Sequence, residues 1–176
     1  MATGFFERQI GERSFVIYVP RGVAKPMPAI LFLHGAGESG KDNLKQVIQG
    51  IGSSVLWNRD RWPFVIIFPQ KPVLRDLWPT QLEYLNGCLK DAEANFDLDP
   101  HRRYLTGLSQ GGNGTFRLVK KLAWQFAAAA PICGWSERVE ETAADFKDIP
   151  LSIFHGGADP VVPVKGSQDV YDAVVK

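Results

Sequence analysis

Six short apolar runs recur along the chain: residues 15–19 (FVIYV), 30–33 (ILFL), 64–68 (FVIIF), 104–106 (YLT), 126–130 (FAAAA) and 151–154 (LSIF). Most are continuous rather than alternating. A strand that is apolar on both sides must be covered on both sides, as in a parallel sheet packed between helices. The run after Phe126 is the weakest strand of the set, because alanine favours helix. Between the runs lie amphipathic segments that read as helices. One is short, over 42–49. One is long, over 81–96, with Leu82, Leu85, Leu89, Ala92 and Phe96 at helical spacing. A third, over 110–124, is preceded and opened by glycines, and 164–176 carries Val170, Ala173 and Val174 on one face. Strand-then-helix alternation implies right-handed crossovers and a three-layer α/β/α sandwich with a mostly parallel sheet. In such folds the chemistry sits just beyond the carboxyl ends of the strands.

Composition narrows the function. The 176 residues suit one domain, 1–176, able to bury a sizeable core. Twenty Lys and Arg against nineteen Asp and Glu leave a net charge of +1, too little field to grip a phosphate backbone, so nucleic acid is not an expected partner. No apolar run approaches the ~18 residues that span a bilayer, so no membrane partner is expected. The first residues, MATGFFERQIGER, lack the basic start and apolar stretch of a signal peptide, which points to the cytoplasm. Cys88 and Cys133 are too few and too far apart for a disulfide scaffold or a zinc site, and read as buried or half-buried thiols.

Three strand ends carry unusual residues. Residues 104–106 run into Gly107-Leu108-Ser109-Gln110-Gly111-Gly112, a G-x-S-x-G pattern between a strand and a helix. A serine at so tight a turn takes strained backbone angles, and the flanking glycines leave space for the turn. The helix that starts there aims its free N–H groups and positive dipole end at the serine, so the N–H of Gln110 could stabilise an oxyanion. The second end, Leu33-His34-Gly35-Ala36-Gly37-Glu38-Ser39-Gly40, suits the other half of an oxyanion hole, through the N–H of Ala36 or Gly37. It lacks the spacing of a phosphate-binding loop. The third end, Phe154-His155-Gly156-Gly157-Ala158-Asp159-Pro160, places Asp159 where the acid falls in a Ser…Asp…His chain order.

The blocks LHGAGESGKDN, YLTGLSQGGNGTF, APICGW and IPLSIFHGGADPVVPV resemble those of the α/β-hydrolases, in particular small serine esterases related to feruloyl esterases and polyhydroxyalkanoate depolymerases, from about Ile30 onward. The resemblance implies hydrolysis of short-chain or aromatic carboxylic esters, with a small-molecule ester as substrate and no metal or cofactor. It puts the nucleophile on Ser109, the acid on Asp159, and the oxyanion donors on Ala36 or Gly37 and on Gln110. Trp135, Trp78 and Trp57 are candidates for the substrate pocket, with His34 beside them and Glu38 or Arg75 at a rim.

The chain departs from that pattern at the general base. The family's histidine follows one more strand beyond the acid, and none of the seventeen residues after Asp159 is a histidine. His34 and His155 each sit between an apolar strand and a glycine, where an imidazole braces a loop. His101 starts the strand that ends near Ser109, at the opposite end of the sheet. Loss of the histidine from a serine triad costs on the order of 10⁶ in kcat. The chain also stops inside an apparent helix, so the expectation is an α/β-hydrolase fold cut at its C-terminus, lacking its last strand and helix. Run 151–154 is then an exposed apolar edge that invites self-association. The leading function is a serine carboxylesterase. A hydrolase-like binding protein without turnover, and a serine peptidase or acyltransferase on the same scaffold, are the alternatives.

Overall fold

A computed structural model describes residues 2–176. Its strands are β1 (Gly4–Ile10), β2 (Arg13–Val19), β3 (Met27–Leu33), β4 (Val65–Pro69), β5 (Leu98–Leu108) and β6 (Ala128–Ile132). The helices are α1 (Ile51–Trp57), α2 (Leu82–Asn95), α3 (Gln110–Leu118), α4 (Val139–Asp145) and α5 (Lys165–Val174). One sheet runs in the order β1-β2-β4-β3-β5-β6. β3 pairs in parallel with β4 and β5, and β5 with β6, while β1–β2 and β2–β4 are antiparallel.

The continuous apolar runs serve two cores at once. Phe15, Ile17, Leu31, Leu33, Val65 and Ile67 point to one face, where Leu85, Cys88, Leu89 and Ala92 of α2 and Phe116 of α3 cover them. Their neighbours Val16, Tyr18, Ile30, Phe32, Ile66 and Phe68 point to the other, against Val47 and Val55. Period-two alternation between two buried faces is why no polar residue interrupts these strands.

Several elements differ from expectation. Segment 42–49 is not helical, because Asp42 Oδ1 accepts the N–H groups of Leu44 and Lys45 at 2.9 and 3.0 Å and closes a turn instead. The helix begins at Ile51. α3 stops at Leu118 rather than 124, and the chain turns so that Leu122 and Trp124 enter the core while Ala123 N–H donates to Asn86 Oδ1 at 2.8 Å. Run 151–154 is not a strand. It meets β6 only through isolated bridges at Leu151 and Phe154, and Phe154 is 57% exposed. β1 and α4 had no continuous apolar run to announce them. In β1 Phe6 and Ile10 pack on one core and Phe5 on the other, while Glu7 and Gln9 are exposed.

Candidate active site

β5 delivers the chain to Ser109, and α3 starts one residue later. Ser109 has φ 57° and ψ −114°, a left-handed conformation that a non-glycine residue rarely adopts. Its N–H donates to Ile132 O of β6 at 2.9 Å, and its carbonyl caps Asn113 N–H at 3.0 Å. Packing leaves no choice of residue beside it. A Cβ on Gly111 would collide with Leu33 O, and one on Gly107 would lie 2.7 Å from the same oxygen and closer to Gly111 O. The ends of β3 and β5 and the first turn of α3 thus touch backbone to backbone, with Ser109 at the crest. The Ser109 side chain is half-buried.

The loop after β3 arches over this turn. A Cβ on Gly35 would be 3.6 Å from Ser109 Cβ, so the two strand ends meet. Among the described residues, the N–H groups of Ala36, Gly37 and Gln110 have no acceptor in the protein. They remain available, as the free amides of a helix start and a glycine loop are. The base of the loop is pinned by His34, which is 1% exposed. Its Nε2 accepts Lys71 N–H at 3.1 Å, so the proton is on Nδ1, which donates to Gly35 O at 2.6 Å. Burial pushes its pKa down to about 4, against the pull of the Gly35 carbonyl, and Lys71 pushes it the same way. The ring is neutral.

Three expected pocket residues, His34, Trp78 and Trp57, are therefore elsewhere. Trp78 is 0% exposed, donates its indole N–H to His34 O at 2.9 Å, and meets the His34 ring edge-on at 4.8 Å. Both serve the core beneath the loop, because an indole and an imidazole with all polar atoms satisfied can be buried at little cost. Trp57 is 90% exposed at the end of α1, among Ser53, Asn58 and Arg61. Trp135 fares differently. It is half-buried, its Nε1 donates to Glu137 Oε1 at 2.9 Å, and with Val161, Val162, Pro163 and Gly166 it lines an open, largely apolar cavity of about 360 Å³.

Asp159 heads that same loop. Its Oδ1 accepts Val161 and Val162 N–H at 2.8 and 3.0 Å, and these bonds, aided by His155, hold its pKa below the ordinary carboxylate value. Oδ2 faces His155 Nε2 at 3.8 Å. Both nitrogens of His155 are engaged, Nδ1 with Ser167 Oγ at 2.7 Å and Nε2 with Val162 O at 2.9 Å. Cys133 lies between the two strand ends. Burial raises its pKa, the Ser109 N–H lowers it and the Asp159 charge raises it, so one half-buried thiol senses both residues. Cys88 is buried.

Sequence reasoning missed Lys71. It is 0% exposed, and Nζ donates to Ser39 Oγ at 2.6 Å, Val73 O at 3.1 Å and Leu74 O at 3.2 Å. Burial lowers its pKa while Asp76 and Glu38 oppose the shift. A lone lysine after FVIIFPQ gives no hint of burial. Among the described residues no group of three or more His, Cys, Asp or Glu is placed to hold a metal, and no helix is long and apolar enough to cross a membrane.

A sheet of this order, with a serine at a strained turn between strand and helix, defines the α/β-hydrolase fold. No protein-family profile matches the chain. Two curated proteins do. A bifunctional acetylxylan esterase/xylanase of Neocallimastix patriciarum is 26% identical over 164 residues, covering 89% of this chain and 23% of its own. A poly(3-hydroxyalkanoate) depolymerase of Paucimonas lemoignei is 26% identical over 87% of this chain and 46% of its own. The chain thus spans less than half the length of either. Among solved structures, a thermostable esterase superposes with a TM-score of 0.76 and 30% identity, over 97% of this chain and 51% of that one. An acetyl xylan esterase from Aspergillus awamori shares the fold with a TM-score of 0.73 at 15% identity, over 98% of this chain and 80% of that one. The chain has the α/β-hydrolase fold and resembles esterases in sequence.

Proposed function

We propose that the chain carries the acylation site of a serine carboxylesterase. Ser109 Oγ attacks the ester carbonyl, the alcohol leaves, and water later releases the acid from the acyl-serine. The N–H of Gln110, with that of Ala36 or Gly37, holds the negative oxygen of each tetrahedral intermediate. The observation that carries this reading is the left-handed Ser109 set beside amides that have no other acceptor. Asp159 is the acid that orients the base, with Oδ2 left free of backbone bonds. The Trp135 cavity favours a short or aromatic acyl group, consistent with relatives named for acetylxylan and polyhydroxyalkanoate.

The base is not one of the three histidines here. His34 is buried with both nitrogens bonded, and so is His155. His101 is exposed at the far end of β5, roughly 25 Å of strand away from Ser109. The general base belongs to residues outside these 176, or turnover is confined to what the oxyanion donors supply, on the order of 10³-fold over water. Hydrolysis of p-nitrophenyl acetate tests the reading. Ser109→Ala is expected to lower the rate to background, while an unchanged rate would defeat it. The absence of a free imidazole at the Ser109 end of the sheet favours one second reading, a binding protein that retains esters without cleaving them. Ester binding by calorimetry with no Ser109-dependent turnover would support that one.

A further inference from the structure

Lys71 makes five hydrogen bonds that converge on the candidate oxyanion loop. Its N–H donates to His34 Nε2 at the loop's first residue, and its carbonyl accepts Gly40 N–H at 3.0 Å at the last. Its ammonium donates to Ser39 Oγ near the crest, in the turn where Ser39 N–H returns to Ala36 O at 3.2 Å. The remaining two ammonium protons go to Val73 O and Leu74 O. Leu74 O also accepts Gln110 Nε2 at 3.1 Å, from the residue that follows Ser109. Three protons meet three acceptors, which satisfies an ammonium completely. Yet no carboxylate lies within ion-pair distance of Nζ among the described residues. A buried cation on neutral acceptors is an expensive way to hold a loop, since an apolar side chain of the same volume packs without that desolvation cost.

Resting on the assignment of Ser109 and its amide donors above, we propose that Lys71 is a positioning residue that holds the two halves of the oxyanion hole in register. It fixes the Ala36–Gly37 half through Ser39, and the Gln110 half through the carbonyl of Leu74. Without the ammonium the two halves are still present but drift independently. An acyl oxygen then meets one donor well and the other poorly, although substrate still binds.

The test separates reaction from binding. A fluorophosphonate probe is titrated against the chain with imidazole present at fixed concentration as an external base, Ser109 phosphonylation is followed by intact mass, and saturation resolves the probe's binding constant from the limiting rate. Lys71→Met is expected to lower the limiting rate by about tenfold or more, with the binding constant within about threefold. Lys71→Arg, which keeps charge and donors, is expected to recover most of the loss. Ser39→Ala removes one of the three acceptors and keeps the ammonium, and is expected to give a smaller fall, about threefold. Deuterium exchange over residues 34–44 should quicken in Lys71→Met and not in the helix α2 peptide. A limiting rate within twofold of the unsubstituted chain in both Lys71→Met and Ser39→Ala would overturn the role. Failure of the unsubstituted chain to form any Ser109 adduct even with imidazole supplied as an external base would instead overturn the serine assignment, and this role with it.

Discussion

His34 and Ser109 show how much one residue's surroundings decide. Both lie at strand ends in glycine-rich sequence, yet one is buried under the loop and the other stands half-open at its crest. The consequence for His34 is a pH dependence. Its folded pKa is about 4, against an ordinary value near 6.5, so the unfolded chain binds the proton first as pH falls. Stability is then fully present above pH 6.5 and is lost progressively toward pH 4, by roughly 3 kcal/mol. Urea unfolding at pH 7 and pH 4.5 measures this. His34→Gln, which keeps an acceptor for Lys71 N–H, should flatten the difference. The elbow at Ser109 was legible in the residues because G-x-S-x-G needs its glycines for backbone contact with β3, and that contact is present. Burial of Trp78 was not legible, since an indole suits a pocket wall and a core equally well, and only its neighbours choose.

At the scale of elements, periodicity succeeded where one element had one job. α2 was readable because Leu85, Leu89 and Ala92 repeat at helical spacing and all sit at 0% exposure on the sheet. Leu85→Ala should therefore cost about 3 kcal/mol in chemical denaturation, by lost transfer energy and the cavity left behind. Segment 42–49 failed for the opposite reason. Its helical-looking spacing competes with the Asp42 side chain, which captures two backbone N–H groups, and with Leu44 and Ile48, which remain exposed. α3 was overestimated because residues after Leu118 are apolar enough to continue a helix. The core needs Leu122 and Trp124 beside Phe126, and the chain bends to put them there.

For the molecule as a whole, the sheet ends in an incomplete edge. Residues 151–154 bridge β6 at two points, and Phe154, Val161, Val164, Tyr171 and Val175 are exposed nearby. Such an edge pairs with whatever backbone reaches it. In sedimentation velocity the chain is expected to associate as concentration rises, and Phe154→Asp to abolish the association; a monomer at all concentrations would count against this. The amino-acid sequence by itself determined the layered α/β architecture and the turn at Ser109, because both follow from local rules: which side chains avoid water, and which backbone angles need glycine. Only the tertiary structure decided that Lys71 and His34 are buried beneath one loop, that His155 is already spent on hydrogen bonds, and that residues 151–154 are not a full strand. Those outcomes depend on what each group meets across the fold, and such contacts join residues far apart in the chain.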